Sequence, residues 1–262
     1  MSDQYLDIAV DAARRAGEAI LSFYGGGAGL DYKEDGSPIT QADRAAHAVI
    51  AACLRCTGLP VVSEEGSDLH LEARRYWLVD PLDGTKDFLA RNGEFTVNIA
   101  LVDAGAPVLG VVYAPAGDEL FAGVPGSGAW YARNGVRTDC TAVGKSRSVR
   151  VAVSRFHDSP EVDFFAEANG VGERVAIGSA LKYGRLAQGT VDVFPRLVGS
   201  SEWDTAAGQA VLEAAGGQVL DWHSGQPLRY GKQGRRNQRL LALRAPYQYG
   251  DFALKQYGPE LL

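Results

Sequence analysis

The sequence is poor in the residues that mark several classes of protein. It has three cysteines and four histidines, and such a small, odd number of thiols argues against a disulfide framework and fits a reducing compartment. No apolar run reaches the ~18 residues of a membrane span, and residues 1–10 lack the basic and apolar segments of a signal peptide. We expect a cytoplasmic protein without a transmembrane segment; loose attachment to the inner face of the cell membrane stays open.

Positive charge is also scarce. The 26 Lys and Arg residues are outnumbered by 32 Asp and Glu residues, which gives a net charge of −6 and a pI near 5.3. The one basic run, at 231–239, is short and has no interleaved aromatic residues. This balance disfavours binding to long nucleic acid. A small anionic substrate is compatible with it if the binding site supplies positive charge locally. The oligomeric state stays open.

The apolar spacing predicts an α+β fold. Two amphipathic helices come first, at 3–24 and 40–57. The strands predicted after them form a mostly antiparallel sheet; they lie at 61–63, 76–80, 94–103, 106–113, 119–124 and 128–132. The first helix ends at a run of glycines that follows a helix instead of opening one, so that run does not fit a phosphate-binding loop.

The composition changes at 141–148, which we interpret as a joint between two halves. Beyond the joint, strands and helices alternate, which is typical of an α/β layer. The predicted elements are strands at 149–153, 174–177, 191–194, 218–222 and 239–243, and helices at 160–169, 180–188, 204–215 and the C-terminus. We predict an N-terminal α+β half, 1–144, and a C-terminal α/β half, 145–262, packed as one compact unit.

Acidic side chains cluster at the ends of predicted strands. The apolar strand at 76–80 runs into Asp80 and Asp83, and the strand at 61–63 runs into Glu64 and Glu65. Buried carboxylates are costly unless positive charge compensates them. Oxygen ligands in a chain with few histidines favour Mg²⁺ or Mn²⁺ over zinc. Asp204, at the predicted start of a helix, is the remaining candidate ligand.

The turn between the two aspartates predicts how a phosphate would be held. Pro81 interrupts a regular ladder, so the Leu82 carbonyl can turn toward a metal ion. Gly84 and Thr85 open a short helix, whose first amides can bind a phosphate. Two cations about 4 Å apart would then activate water and steady the reacting oxygens.

Two further side chains complete this predicted site. The Thr85 hydroxyl is placed to orient the attacking water. Asp43, near the start of the second helix, is placed to hold that hydroxyl.

Simpler interpretations exist for these motifs. An isolated Asp-x-x-Asp-Gly is typical of an ordinary turn, but acidic groups at three separate element ends favour a site. Cys53 and Cys56 have the spacing of a redox pair or half a zinc site. Only Cys140 remains to complete it, and the pair lies near a helix end, so we favour a packing role.

Three motifs resemble the signatures of the inositol-monophosphatase-type phosphatases, which are magnesium-dependent and lithium-sensitive. The motifs are Ser63-Glu64-Glu65, Asp80-Pro81-Leu82-Asp83-Gly84-Thr85 and Trp203-Asp204-Thr205-Ala206-Ala207-Gly208. The resemblance spans nearly the whole chain and implies a layered αβαβα fold. Within this superfamily, segments 84–88, 91–101 and 178–184 are most similar to the bacterial 3'(2'),5'-bisphosphate nucleotidases of sulfate assimilation, the CysQ group.

The resemblance implies roles for the acidic residues. The implied metal ligands are Glu64, Asp80, the Leu82 carbonyl, Asp83 and Asp204. They would bind two or three Mg²⁺ ions, for which Mn²⁺ can substitute. Thr85 and Glu64 would position the water with support from Asp43, and the Gly84 and Thr85 amides would hold the phosphate. Glu65 would lie behind the ligands or at the surface.

The resemblance also implies a substrate. Such nucleotidases remove the 3'-phosphate of adenosine 3',5'-bisphosphate to give AMP, and some also act on 3'-phosphoadenylyl sulfate. Ser179 and Lys182 match positions that contact the nucleotide. Arg196 stands where inositol phosphatases carry a glutamate that contacts sugar hydroxyls. Arginine would attract a second phosphate that glutamate would repel.

Two alternatives remain at this stage. The chain could be an inositol- or histidinol-phosphate phosphatase of the same superfamily, or a non-catalytic regulator on this fold. The intact ligand set argues against the regulator. One departure from the nucleotidase pattern is Lys86-Asp87 in place of Lys-Glu, which keeps the charge and affects only fine positioning.

Overall fold

The computed structural model describes residues 2–25, 30–32, 38–66, 73–141, 144–156 and 160–254. Its helices are α1 (Ser2–Tyr24), α2 (Gln41–Leu54), α3 (Thr85–Ala90), α4 (Pro160–Ala168), α5 (Leu181–Ala187) and α6 (Ala206–Ala214). In the described part of the chain, no helix is both long and apolar enough to cross a bilayer.

The strands of the described residues form two large sheets and two small pairs. They are β1 (Leu30–Tyr32), β2 (Pro38–Thr40), β3 (Val61–Ser63), β4 (Arg75–Asp83), β5 (Thr96–Asp103), β6 (Ala106–Ala114), β7 (Glu119–Val124), β8 (Gly128–Arg133), β9 (Val136–Cys140), β10 (Arg150–Ser154), β11 (Glu173–Ile177), β12 (Val193–Arg196), β13 (Ser200–Ser201), β14 (Gln218–Asp221), β15 (Arg236–Asn237) and β16 (Leu240–Leu243).

The larger sheet has seven strands in the order β3-β4-β5-β6-β7-β8-β9. It is antiparallel except for the parallel pair β3–β4, so the prediction of a mostly antiparallel sheet is confirmed. The second sheet has five strands in the order β11-β10-β12-β16-β14. It is mixed, because β10 pairs in parallel with β11 and β12 whereas β16 is antiparallel to its neighbours.

Three apolar cores fill the space between five layers, and the middle core contacts both large sheets. Side chains alternate along a strand, and β4 accordingly points Trp77 toward α1 and α2 and Leu78 toward α5 and α6. In the second sheet, Ala242 of β16 packs toward α5 and α6, and Leu243 packs toward α4. The order is therefore helices, sheet, helices, sheet, helix, which confirms the predicted layered α+β fold.

Local sequence explains why the central layers lie so close. A Cβ atom on Gly110 of β6 would lie 2.3 Å from the Ala207 carbonyl oxygen of α6. The same holds at Gly123 of β7, where a Cβ would lie 2.8 Å from the Ala214 side chain. Glycine at these two strand positions lets α6 lie directly on the sheet, and α6 follows the Trp203-Asp204 motif.

Several boundaries differ from the sequence prediction. No strand was predicted at 30–32 or 38–40, where β1 and β2 pair in antiparallel fashion; residues 33–37 lie outside the described residues. Strand β9 was not predicted because most of its side chains are exposed and show no apolar alternation. Helix α6 begins at Ala206, two residues after the predicted start. Of the predicted C-terminal helix, the described part shows a 3₁₀ turn at Tyr249–Asp251, and 255–262 lie outside it.

Candidate active site

The break in strand β4 places two aspartates at one point. Asp80 pairs with Asn98 and Asp83 pairs with Thr96 of β5, and the register is irregular between these two pairs. Pro81 has no N–H to donate to the ladder, and the Leu82 N–H turns back to Asp80 Oδ1 at 3.1 Å. The predicted interruption at Pro81 is therefore present, and it leaves a buried Asp80 beside a half-buried Asp83.

Asp83 links the end of β4 to the segment just before α5. Its Oδ2 accepts a 2.6 Å hydrogen bond from the Ala180 N–H, just before α5. The same oxygen accepts a 3.3 Å bond from Asn98 Nδ2. A carboxylate that is fixed by two donors keeps its other oxygen, Oδ1, in a defined position, as a ligand requires.

The start of α5 lies against the turn that follows Asp83. Ser179 has a positive φ of 46°, and its Cβ lies 3.3 Å from where a Cβ on Gly84 would be. Gly84 itself has a φ of 89°, a conformation that glycine adopts without strain. The phosphate-binding turn predicted at Gly84 and Thr85 therefore faces the Ser179 segment predicted to contact the nucleotide.

Asp204 comes from the far end of the sequence and lies just before α6. Its Oδ2 accepts a 3.0 Å bond from the Ser201 N–H and lies 3.9 Å from Arg196 Nη2. Burial, followed by the nearby Asp83 charge, raises the pKa of Asp204 to about 7. Arg196, which is predicted to determine substrate preference, therefore lies beside the predicted metal ligand Asp204.

Almost all of the predicted site residues line one cavity of roughly 710 Å³. Those that line it are Glu64, Asp80, Leu82, Asp83, Gly84, Thr85, Ser179, Lys182, Arg196 and Asp204. They come from strands β4 and β12, helices α3 and α5, and the segments that follow β3 and precede α5 and α6. Glu64 and Asp204, which are 140 positions apart in sequence (204 − 64), therefore line the same cavity.

Asp43 is the predicted site residue that does not line this cavity. It is buried in the first turn of α2, where its Oδ2 accepts bonds from the Thr40 N–H at 2.8 Å and the Thr40 hydroxyl at 2.6 Å. The bond from the Thr40 N–H, together with the return bond from the Asp43 N–H to the Thr40 side chain, forms a capping box that fixes the start of the helix. The Asp43 charge still raises the pKa of Asp80, so the two groups are neighbours. A bond from Asp43 to Thr85 stays a prediction.

Neighbouring carboxylates raise the pKa of Asp80 and that of Asp204. Burial raises the pKa of Asp80 well above its usual value, and the charges of Glu64, Asp83 and Asp204 raise it further. Among the described residues, no three acidic, histidine or cysteine side chains close around a single point as a metal cage. The acidic groups instead line an open cavity. Their oxygen-only chemistry fits a hard divalent cation such as Mg²⁺.

The cavity is also lined by positively charged side chains, among them those of Lys182 and Arg196. Lys182 is buried, its Nζ donates to the Ile177 carbonyl oxygen at 3.0 Å, and the ammonium lies 5.2 Å from the centre of the Phe194 ring. Burial, followed by the Arg196 charge, lowers the pKa of Lys182 to about 8. Arg196 Nε is buried without a hydrogen-bond partner among the described residues. Lys182 and Arg196 are therefore suited to bind an anionic group of a ligand.

Removing divalent cations should destabilise the protein. Without cations, the converging acidic charges repel one another, and ligands that bind only the folded state raise its stability. We expect EDTA to lower the melting temperature by about 5 °C or more relative to protein with excess Mg²⁺. An Asp83→Asn variant, with one charge fewer, should show a smaller shift. Identical melting curves with EDTA and Mg²⁺ would contradict a metal site here.

The cavity has aromatic and basic walls that the sequence analysis did not single out. The additional lining residues are Arg155, Phe156, Tyr183, Phe194, Trp203 and Arg236. The sequence signal that could have identified two of them is their position next to predicted site residues, because Tyr183 follows Lys182 and Trp203 precedes Asp204. Apolar rings beside charged groups suit a ligand with a flat base and anionic substituents.

Cys53 and Cys56, for which a packing role was predicted, do not line this cavity. Both thiols are free, and Cys56 Sγ contacts the Cys53 carbonyl oxygen at 3.2 Å. Burial raises the pKa of Cys53, which disfavours a reactive thiolate. A packing role at the end of α2 agrees with these contacts.

Comparison with known proteins agrees with the geometry. The inositol monophosphatase family matches residues 1–247. The 3'(2'),5'-bisphosphate nucleotidase CysQ of Escherichia coli strain K12 is 46% identical over 232 residues, which cover 86% of this chain and 93% of that protein. The CysQ of Haemophilus influenzae is 31% identical and covers 89% of this chain and 90% of its own.

Solved structures show the same similarity. CysQ from Bacteroides thetaiotaomicron aligns with a TM-score of 0.83 at 38% identity, covering 93% of this chain and 98% of that one. An inositol monophosphatase from Zymomonas mobilis aligns with a TM-score of 0.78 at 27% identity, covering 95% of each chain. The chain belongs to the inositol monophosphatase family.

Proposed function

We propose that this chain is a metal-dependent phosphomonoesterase that removes the 3'-phosphate of adenosine 3',5'-bisphosphate, giving AMP and phosphate. The observation that carries the proposal is the single cavity that acidic groups distant in sequence line together with Lys182 and Arg196. The acidic groups suit divalent cations, and the two basic groups suit a second anionic group of the substrate. The names of the relatives at 46% identity support the same substrate, and 3'-phosphoadenylyl sulfate is a further candidate.

Metal dependence is general in the inositol monophosphatase family, and the acidic groups that line the cavity of this chain are oxygen ligands of the kind that Mg²⁺ prefers. The residues that would hold Mg²⁺ are Glu64, Asp80, Leu82 through its carbonyl, Asp83 and Asp204. Two or three ions, or Mn²⁺ in their place, would fit a set contributed by both predicted halves, 1–144 and 145–262. When bound, such ions lower the pKa of water and neutralise charge on the phosphate.

The chain's own groups would position the reactants. The first amides of α3 precede its first helical bond, from the Phe88 N–H to the Gly84 carbonyl oxygen at 2.9 Å. Amides at this position have no partner within a helix, so those of Gly84 and Thr85 can donate to the phosphate. The Thr85 hydroxyl and the Glu64 carboxylate would orient the water for attack opposite the leaving ribose oxygen.

Substrate preference would depend on two positively charged side chains of the cavity, Arg196 and Lys182. Arg196 is half-buried and its Nε has no partner in the described part of the chain, so it can bind the second phosphate. Lys182 adds a second positive charge from α5, and Ser179 adds a hydroxyl. An inositol monophosphate carries no second phosphate to use these groups.

The protonation of Lys182 gives a pH prediction. Its pKa is lowered to about 8 by burial, so the side chain loses its charge as the pH rises through that value. An uncharged amine attracts the substrate less. We expect the KM for the bisphosphate to rise between pH 7 and pH 9, as steady-state kinetics can show. A Lys182→Met variant should have a higher KM at pH 7, and its KM should change less between pH 7 and pH 9. The same rise in KM in both proteins would contradict the role assigned to Lys182 in substrate binding.

A substrate panel tests the proposed function. Phosphate release would be measured with Mg²⁺ for adenosine 3',5'-bisphosphate, 3'-phosphoadenylyl sulfate, inositol 1-phosphate and histidinol phosphate. We expect the highest kcat/KM for a 3'-phosphorylated nucleotide. A higher value for inositol phosphate or histidinol phosphate would assign the chain to that activity instead. No hydrolysis of any of the four would favour a non-catalytic regulator.

A further inference from the structure

Tyr183 has a hydroxyl that nothing in the described residues satisfies. The side chain is only 2% exposed, and its hydroxyl oxygen is buried with no hydrogen-bond partner in the described part of the chain. Buried polar groups are almost always paired, because an unpaired one loses its bonds to water without replacement. An unsatisfied hydroxyl in the wall of the candidate active site therefore requires an explanation.

Another tyrosine shows the usual arrangement. Tyr230 is also buried in the same apolar core. Its hydroxyl lies 2.6 Å from Gln209 Oε1 and 3.2 Å from Thr205 Oγ1. Phenylalanine at position 183 would fill the same space without an unpaired oxygen, so packing alone does not account for the hydroxyl.

The ring of Tyr183 is held in one orientation. It packs edge-on against Phe194 with ring centres 5.7 Å apart. On its other side it lies against α6, where a Cβ on Gly208 would be 2.3 Å from a ring carbon of Tyr183. A ring fixed by two neighbours presents its hydroxyl at a defined place in the cavity wall, as specific binding requires.

Tyr183 lines the cavity together with Arg196, Asp204 and Asp83. The charges of these three groups act on its hydroxyl, so predicted metal ligands and the predicted phosphate-binding arginine are both near it. Two carboxylates nearby disfavour an anionic partner for Tyr183 itself, and Arg196 is available for such a partner. A neutral hydroxyl group of the ligand fits best, since it can both donate to and accept from a phenol.

We propose that Tyr183 binds the free sugar hydroxyl on the carbon next to the scissile phosphate, and that it thereby favours ribonucleotides over their deoxy counterparts. For a 3'-phosphate this group is the 2'-hydroxyl of the ribose. The inference rests on the proposed function, because it takes a nucleoside 3',5'-bisphosphate as the ligand. It assigns to Tyr183 a binding role separate from metal binding and from the second phosphate.

A double comparison tests the contact. Wild type and Tyr183→Phe would each be assayed with adenosine 3',5'-bisphosphate and with its 2'-deoxy analogue. We expect wild type to prefer the ribonucleotide by about tenfold in kcat/KM, the loss typical of leaving a buried hydroxyl unpaired. In Tyr183→Phe the ratio of the two kcat/KM values should fall to about one, because kcat/KM decreases for the ribonucleotide and stays the same for the deoxy analogue. Equal losses on both substrates, or an unchanged preference, would overturn the inference.

Thermal melting separates binding from a structural role. Because the Tyr183 hydroxyl has no partner in the described residues, Tyr183→Phe should melt at or above the wild-type temperature. The matched variant Tyr230→Phe, which loses two bonds, should melt at a lower temperature. A fall for Tyr183→Phe as large as that for Tyr230→Phe would indicate a structural bond and contradict the inference.

Ligand-induced melting shifts keep the inference and the proposed function distinguishable. With Mg²⁺ present, wild type should be stabilised more by the ribonucleotide than by the deoxy analogue, and Tyr183→Phe should be stabilised equally by both. If wild type fails to hydrolyse the bisphosphate, the proposed function fails, yet this difference in shift still supports the Tyr183 contact. No difference in wild type overturns the contact, whatever the activity.

Discussion

Asp83→Asn should lower kcat for adenosine 3',5'-bisphosphate by about 100-fold or more while leaving the fold intact. Asp83 is the proposed ligand that ties the halves together, through the 2.6 Å bond from the Ala180 N–H to its Oδ2. The asparagine oxygen can still accept that bond, so the geometry persists. The negative charge is lost, and with it the strength of cation binding. Steady-state kinetics at saturating Mg²⁺ measures the effect.

A surface aspartate provides the control for this variant. Asp103 ends β5, and its carboxylate forms ion pairs with the exposed Arg74 and Arg75 side chains, so Asp103→Asn should retain nearly full activity. Without divalent cations, Asp83→Asn should melt at or above the wild-type temperature, because one of several repelling charges is gone. Near wild-type turnover by Asp83→Asn would contradict the proposed mechanism.

Arg196→Met should weaken the enzyme on a bisphosphate by about 10- to 100-fold in kcat/KM, the range expected for a lost charge-assisted hydrogen bond. The matched substrate is adenosine 3'-monophosphate, which keeps the scissile phosphate and lacks the second one. If Arg196 binds the second phosphate, the variant should lose far less on this substrate. The ratio of the two kcat/KM values isolates the contact from general damage.

The charge-reversed variant completes the series. Arg196 Nη2 lies 3.9 Å from Asp204 Oδ2, so Arg196→Glu adds a negative charge beside a proposed metal ligand as well as repelling the second phosphate. It should be weaker than Arg196→Met on the bisphosphate, and it should lose less on inositol 1-phosphate. Equal losses on both substrates for both variants would discredit the specificity argument.

Much of the fold was predictable because its signals are local. Thr40 caps α2 through bonds that depend on residues 40–43 alone, and Pro81 interrupts β4 because its ring removes a donor. The alternation of Trp77 and Leu78 between two cores needed only the period of a strand. In the same way, the acidic ends of β3 and β4 were visible as carboxylates directly after apolar runs.

Other features depend on contacts between distant segments. The sequence predicted a substrate-binding role for Arg196. It did not predict that Arg196 approaches Asp204, because the backbone path between the two residues decides that distance. Tyr183 has the pattern of a core residue, and its unpaired hydroxyl becomes apparent only when α5, α6 and β12 pack around it. Strand β9 carries mostly exposed side chains, so it lacks the apolar pattern on which strand prediction rests.

The most direct test of the central claim is phosphate release from adenosine 3',5'-bisphosphate by the purified full chain, measured with Mg²⁺, then with EDTA, then with Mg²⁺ restored in excess. The carboxylate-lined cavity predicts hydrolysis at the 3' position to give AMP, its loss with EDTA and its recovery with Mg²⁺. Hydrolysis that continues unchanged in EDTA, or no release of phosphate under any of the three conditions, would contradict the claim.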